Sequence, residues 1–185
     1  MKKSAAKTTT MISVCGLFAA LSVVIMLASY LGVTTYAVPA IAGALLVIIY
    51  LEFSAKNAFT VYLAVSVLSF LICEKEAALC YALFFGYYPI LKAYIERIHN
   101  KSVQWITKIL LFTVSFTIVT VLAILFLGIP VSEINMGFGV WGIIAFALAV
   151  EVMFVLYDIA MTRIITLYIV RYREKFRKMM RLNRK

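Results

Sequence analysis

The sequence predicts an all-α integral membrane protein, a six-transmembrane-helix bundle with both termini cytoplasmic. Three observations support this. The chain is 65% hydrophobic and only 14% charged, with a mean hydropathy of +1.03, and a soluble domain with that surface would aggregate. Its apolar residues fall into six runs separated by short connections. Its eighteen Lys and Arg, against eight acids for a net charge of +10, crowd into alternate connections. Lipid offers the backbone no hydrogen-bond partner, so each run must satisfy itself as a helix.

The first run, Met11–Val33, follows Lys2, Lys3 and Lys7. It exceeds the about 7–15 apolar residues of a secretory leader and lacks a small-x-small cleavage site, so it reads as a mature helix. The second, Tyr36–Leu51, carries Pro39 in its first turn, where a missing N–H costs little. The third and fourth are Asn57–Cys73 and Ala77–Ala93. Runs two to four sit at the short end of the roughly 17–25 residues a crossing needs. In the fourth, Gly86-Tyr87-Tyr88-Pro89 frees a carbonyl one turn before the proline and favours a kink, either a hinge or static geometry. The fifth and sixth are Trp105–Leu127 and Phe138–Leu167, with Pro130 in the loop between them.

Beyond the sixth run, the basic tail Arg171–Lys185 interleaves Tyr172, Phe176, Met179, Met180 and Leu182. It is expected to prolong the helix into the cytoplasm. Its charges would favour anionic lipid headgroups, by about 1 kcal/mol per basic residue near the surface. No linker or soluble insertion interrupts the chain, so residues 1–185 read as one membrane domain.

With six crossings, Lys2, Lys3, Lys7, Lys56, Lys92, Arg97, Lys101, Lys108 and every basic residue from Arg163 onward share one side, and Lys75 alone holds the other. Short loops follow the positive-inside rule, which makes the crowded side cytoplasmic and the chain a multi-pass protein of the cell (plasma) membrane. Charge bound to loops beside apolar helices argues against nucleic acid as a partner.

The residues suggest no enzyme. There is no His-Glu-x-x-His, no Gly-x-Ser-x-Gly and no Walker loop. The one histidine, His99, lies in a charged connection and reads as solvated. Cys15, Cys73 and Cys80 have no metal-like spacing, so neither a metal nor a cofactor is expected. Cys73 and Cys80 fall near the same face, where a disulfide is conceivable and apolar packing is the plainer reading.

The polar groups that lipid makes expensive are the candidates for function. Glu151 and Asp158 are seven residues apart on the last helix and share a face, which Thr162 continues. Glu151 lies roughly 20 Å along the helix from Phe138, at mid-depth or deeper, where a carboxylate faces protein or a water cavity. Its role is either a structural hydrogen bond or a functional one. Asp158 lies near the cytoplasmic boundary, in reach of Lys92 or Arg163 as an ion-pair partner.

The outer end gathers aromatic and polar residues, as a small-molecule pocket requires. Tyr30, Thr34, Thr35 and Tyr36 surround the first loop, Glu74, Lys75 and Glu76 the second with Tyr81 one turn on, and Glu133, Asn135 and Trp141 the third. Tyr36, Glu74, Tyr81, Asn135 and Trp141 are the substrate-binding candidates. Tyr and Trp also form interfacial belts, which is the competing reading. Gly16 and Ala20, Ala40 and Ala44, and Ala145 and Ala149 are small pairs four apart, which let helices approach closely.

The chain resembles the substrate-binding S component of an energy-coupling factor (ECF) transporter. The likeness rests on its length and six-helix pattern. It rests also on the basic start into Thr8-Thr9-Thr10-Met11, on Gly16-Leu17-Phe18-Ala19-Ala20-Leu21, and on the segment from Glu76 through Gly86-Tyr87-Tyr88-Pro89 to Lys92. Where that family carries an Ala-x-x-x-Ala docking pair in its first helix, this chain has Gly16 and Ala20. The resemblance implies capture of a vitamin or other small organic nutrient, and association with a transmembrane coupling subunit and two ATPase subunits. It implies docking at Gly16 and Ala20. A metal-transporting member would carry an N-terminal histidine set that this chain lacks. The alternatives are a non-transport membrane scaffold or assembly protein, contacting mainly membrane lipid, and a self-contained secondary transporter with Glu151 as proton carrier.

Overall fold

The computed structural model describes residues 2–31, 35–128 and 139–179. Every element among them is helical: α1 (Lys2–Leu27, extended by a 3₁₀ turn at Ala28–Leu31), α2 (Ala37–Glu52), α3 (Ala55–Ile72), α4 (Lys75–Cys80), α5 (Tyr88–Ile95), α6 (Lys101–Leu127), α7 (Gly139–Leu167) and α8 (Arg173–Met179). Five segments are long and apolar enough to cross a membrane: Thr8–Leu31, Ala55–Ile72, Lys75–Ile95, Lys101–Phe126 and Trp141–Met179. This is a multi-pass membrane protein.

The expected second crossing, Tyr36–Leu51, forms an apolar helix, α2, but at 16 residues it is shorter than these five and is not one of them. Its shortness goes with its place. α2 packs against α1, α3, α5 and α7, and buries Val38, Pro39, Ala42, Gly43, Leu46, Val47 and Ile49. Polar side chains start the flanking helices: Ser54 Oγ accepts the Asn57 N–H at 3.3 Å, and the Asn100 side chain accepts the Ser102 N–H at 3.0 Å. Each satisfies one of the orphan donors of a helix start.

The fourth apolar run, within the Lys75–Ile95 span, is broken into two pieces. After α4 the chain widens into a π-helical turn, Tyr81–Phe85, where the Gly86 N–H reaches back to the Tyr81 carbonyl at 2.7 Å. Pro89 then sits in the first turn of α5. It brings no N–H for the Phe85 carbonyl one turn earlier. That carbonyl lies against α2: a β-carbon on Gly43 would stand 2.1 Å from it. Only glycine allows so close an approach of helix and carbonyl. Gly86 plays the same part for the tyrosines, since a β-carbon there would meet the Tyr62 ring at 2.5 Å and the Tyr81 ring at 2.9 Å.

Two clusters of buried side chains result. One joins α1, α2, α3 and α4 through Phe18, Met26, Leu46, Ile49, Val65 and Tyr81. The other is aromatic, Phe84, Tyr88, Phe112 and Phe154, and ties the broken span to α6 and α7. The basic tail does prolong the last helix, through a π-helical turn at Tyr168–Tyr172 into α8. Arg173 Nε and Arg177 Nε hold the buried Glu52 carboxylate at 2.9 and 2.6 Å, pinning the tail to the end of α2. Phe176 packs edge-on against Phe18 and Tyr168. Cys15, Cys73 and Cys80 are free thiols, so the conceivable Cys73–Cys80 disulfide is absent from this structure.

Candidate functional site: an aromatic cavity above a ring of ion pairs

The start of α2, the broken fourth span, α6 and α7 leave a cavity of ≈ 620 Å³ between them. Its walls are carbon. Phe84 and Phe85 enter from the π-helical turn, Phe112 and Phe116 from α6, Phe146 and Phe154 from α7. The Phe112 and Phe154 rings stack with centroids 4.4 Å apart and planes 7° apart. Phe84 meets both edge-on, at 5.0 and 5.6 Å. The spacing of these residues explains their convergence. Phe112 and Phe116 are one helical turn apart on α6, and Phe146, Val150, Phe154 and Tyr157 lie at intervals of three or four on α7, so each set forms one stripe.

One turn toward the basic end on each of these elements, the chemistry changes abruptly. Lys92 of α5, Lys108 of α6, Asp158 of α7 and Glu96 just after α5 form a closed ring of alternating charge. Lys92 pairs with Asp158 and, at 2.6 Å, with Glu96. Lys108 completes the ring, at 2.9 Å from Glu96 and 2.9 Å from Asp158. Lys92, Lys108 and Asp158 are buried. Two lysines and two carboxylates sum to zero, and each charge has two partners, which is the arrangement that makes burial of ions tolerable. Tyr88 completes it, donating its hydroxyl to Asp158 Oδ1 at 2.5 Å. Burial works to raise the Glu96 carboxyl, but the hydrogen bonds from Lys92 and Lys108 outweigh it, and its pKa lies below the ordinary value.

Tyr88 links the cavity's aromatic residues to the ring. The Tyr88 ring packs on Phe84 at 4.8 Å and on Phe154 at 5.5 Å, while its hydroxyl belongs to the ring. At the opposite end lies a polar rim. The Thr35 hydroxyl donates to Glu74 Oε2 at 3.2 Å, the Tyr36 hydroxyl donates to Glu76, and the Tyr30 hydroxyl donates to the Ile72 carbonyl at 3.1 Å.

Of the residues singled out from sequence, Tyr36 lines the cavity. Glu74 joins the rim beside it. Tyr81 is fully buried in the α1–α4 cluster and does not line the cavity. Trp141 is 79% exposed near the start of α7, apart from the others. Asn135, like Glu133 and Pro130, falls outside the described residues. Gly16 and Ala20 are exposed, and a β-carbon on Gly16 would meet nothing within 4 Å, so no helix among the described residues fills that groove. Glu151 Oε1 accepts from the Thr113 hydroxyl at 2.5 Å, while its Oε2 is buried without a partner among the described residues. Asp158 pairs with Lys92, as one of the two expected partners, and not with the exposed Arg163. His99 is exposed.

Sequence reasoning did not find Lys108, Glu96 or Tyr88 as members of the ring, nor the phenylalanines of the cavity. One signal for the ring was present: charged residues of both signs, Lys92, Lys108 and Asp158, just inside the same end of three spans, with Glu96 one turn beyond Lys92.

No family model, curated protein or solved structure matches this chain.

Proposed function

We propose that this protein is the substrate-capture subunit of an ECF-type uptake transporter in the cell membrane. In this reading the chain crosses the bilayer six times, with both termini and the Lys92–Lys108–Asp158–Glu96 ring toward the cytoplasm. The observation that carries it is the aromatic cavity within the membrane bundle, with the Tyr36–Glu76 and Thr35–Glu74 rim at one end and the ion-pair ring beyond the other. A solute arriving from outside meets the rim first, and the ring blocks its passage inward. Release then needs a rearrangement that this chain, without a nucleotide-binding motif, does not power itself. A transmembrane coupling subunit and two ATPases would supply it.

The outward-facing Gly16 and Ala20 support the partner half of the reading. Lipid tails gain little from such a shallow groove, whereas a second helix gains close van der Waals contact. Gly16→Leu with Ala20→Leu fills the groove at an exposed site. The doubly substituted protein is expected to fold and keep its solute, but to lose copurification with the ATPase module and uptake. Unchanged assembly and uptake would defeat the docking role.

One observation favours a second reading, a self-contained proton-coupled carrier: the unpartnered Oε2 of Glu151 inside the bundle. Uptake by the purified chain alone in proteoliposomes, driven by a pH gradient and abolished by Glu151→Gln, would decide for it.

A further inference from the structure

Resting on the solute-capture reading, we infer that the solute is a neutral, planar, lipid-soluble molecule that enters the cavity sideways from the bilayer, between α2 and α7.

The lining sets the chemistry. No charged residue lines the cavity, and the polar ones that do are Tyr36, Tyr157 and Cys80. The Tyr36 hydroxyl is already committed to Glu76. The thiol is a weak donor. The Tyr157 hydroxyl is buried away from the cavity's accessible surface. The cavity therefore offers a solute almost no free hydrogen bond, which suits a molecule with little polar surface. An ionic ligand finds no partner there. Lys92 and Lys108, the cations nearest the cavity floor, are already neutralised by Asp158 and Glu96, and an unpaired charge in such a site costs far more than any contact returns.

The walls set the shape. Stacked and edge-on phenylalanines present flat faces that suit a planar ring. The volume, ≈ 620 Å³, falls inside the about 300–1,000 Å³ of small-molecule sites.

The opening sets the route. Tyr36 on one lip is 53% exposed, and Met153 and Leu156 on the other are 64% and 56% exposed. Tyr36 immediately precedes α2, and Met153 and Leu156 lie on α7 within a segment long and apolar enough to cross a membrane, so in this reading the mouth opens toward acyl chains. Ala40 keeps the α2 side of the cavity small-walled, and Ala44, one turn on, lines a second apolar cleft of ≈ 550 Å³ along the same α2–α7 seam.

The test is photolabelling of the full chain in phosphatidylcholine vesicles with benzophenone, a neutral planar ketone, and with 4-benzoylbenzoate, the same rings bearing a carboxylate. Sites are mapped by mass spectrometry at equal membrane concentrations of probe. Benzophenone should label Phe154 and Val119, both buried cavity residues, about tenfold or more above benzoylbenzoate. Ala40→Trp should block that labelling. Equal labelling by the two probes, or labelling confined to the lipid-facing Leu148, would overturn the inference. A phospholipid found seated in the cavity in place of the probe would overturn it too. The transport reading is scored separately, by copurification of the wild-type chain with an ATPase module. A charged solute carried by that intact complex would defeat the neutral-ligand inference alone. Cavity labelling without any module would defeat the transport reading.

Discussion

The Tyr88 hydroxyl donates to Asp158 Oδ1 at 2.5 Å, so one tyrosine both packs behind the cavity's phenylalanines and belongs to the ion-pair ring. Anything that moves Asp158 moves Tyr88, and with it the packing of Phe84 and Phe154. The aromatic cluster of Phe84, Tyr88, Phe112 and Phe154 and the ion pairs between α5, α6 and α7 are therefore packed together.

Breaking the ring should be costly, and removing it whole should not. Asp158→Asn leaves Lys92 and Lys108 buried with Glu96 alone between them. Uncompensated buried charge costs about 3–5 kcal/mol. Replacing Lys92, Glu96, Lys108 and Asp158 together by Met, Gln, Met and Leu should recover much of that loss. Thermal unfolding in detergent, followed by circular dichroism, measures both. A single variant as stable as the wild type would contradict the ring geometry.

The close approach of α2 to the broken span makes Gly43→Ala a sharp test. Its β-carbon would need room that the Phe85 carbonyl occupies, 2.1 Å away. Overpacking of this kind costs typically about 1–3 kcal/mol. Gly16→Ala, in open space, should be neutral or slightly stabilising, since alanine is the better helix former. Equal effects of the two substitutions would deny that α2 rests on Phe85.

Acid should loosen the ring through Glu96. The fold favours its ionised form, so its pKa lies below the ordinary 4.5. Its contribution is complete above that ordinary value and is lost as pH falls through the lower, folded one. The melting temperature of the wild type should therefore fall more steeply below about pH 4.5 than that of Glu96→Gln. Parallel pH profiles would remove Glu96 from the account.

The topology has its own test. In a variant with Cys15, Cys73 and Cys80 replaced, a cysteine at Lys75 should react with an impermeant maleimide in intact cells. Cysteines at Lys101 and Arg177 should react only after permeabilisation. External labelling at Arg177 would rule out six crossings with cytoplasmic termini.

How far the sequence could be read depends on which forces it displays. Apolar runs are explicit, so the reading Tyr36–Leu51 lies within one residue of α2 at each end. Asp158 had to find a cation, and Lys92 lay on the same side. Lys108 was hidden because it looked like the solvated end of a connection, whereas it stands two turns inside α6. Tyr36 was legible as an aromatic among polar neighbours. Phe84, Phe112 and Phe154 were not, because a phenylalanine turned toward protein and one turned toward lipid look alike in an apolar span. Gly43 carried no signal of its own. Its meaning depends on the π-helical turn at Tyr81–Phe85 and on Pro89, which lie in another helix.

The central claim is that this chain captures a small molecule in the cavity between α2, the broken fourth span, α6 and α7. Native mass spectrometry of the protein released from its own membranes measures that directly. The wild type should carry a single bound small molecule of defined mass, and Ala40→Trp, folded to the same melting temperature, should emerge without it. A wild type that emerges empty, or an Ala40→Trp variant that retains the same mass, would contradict the account.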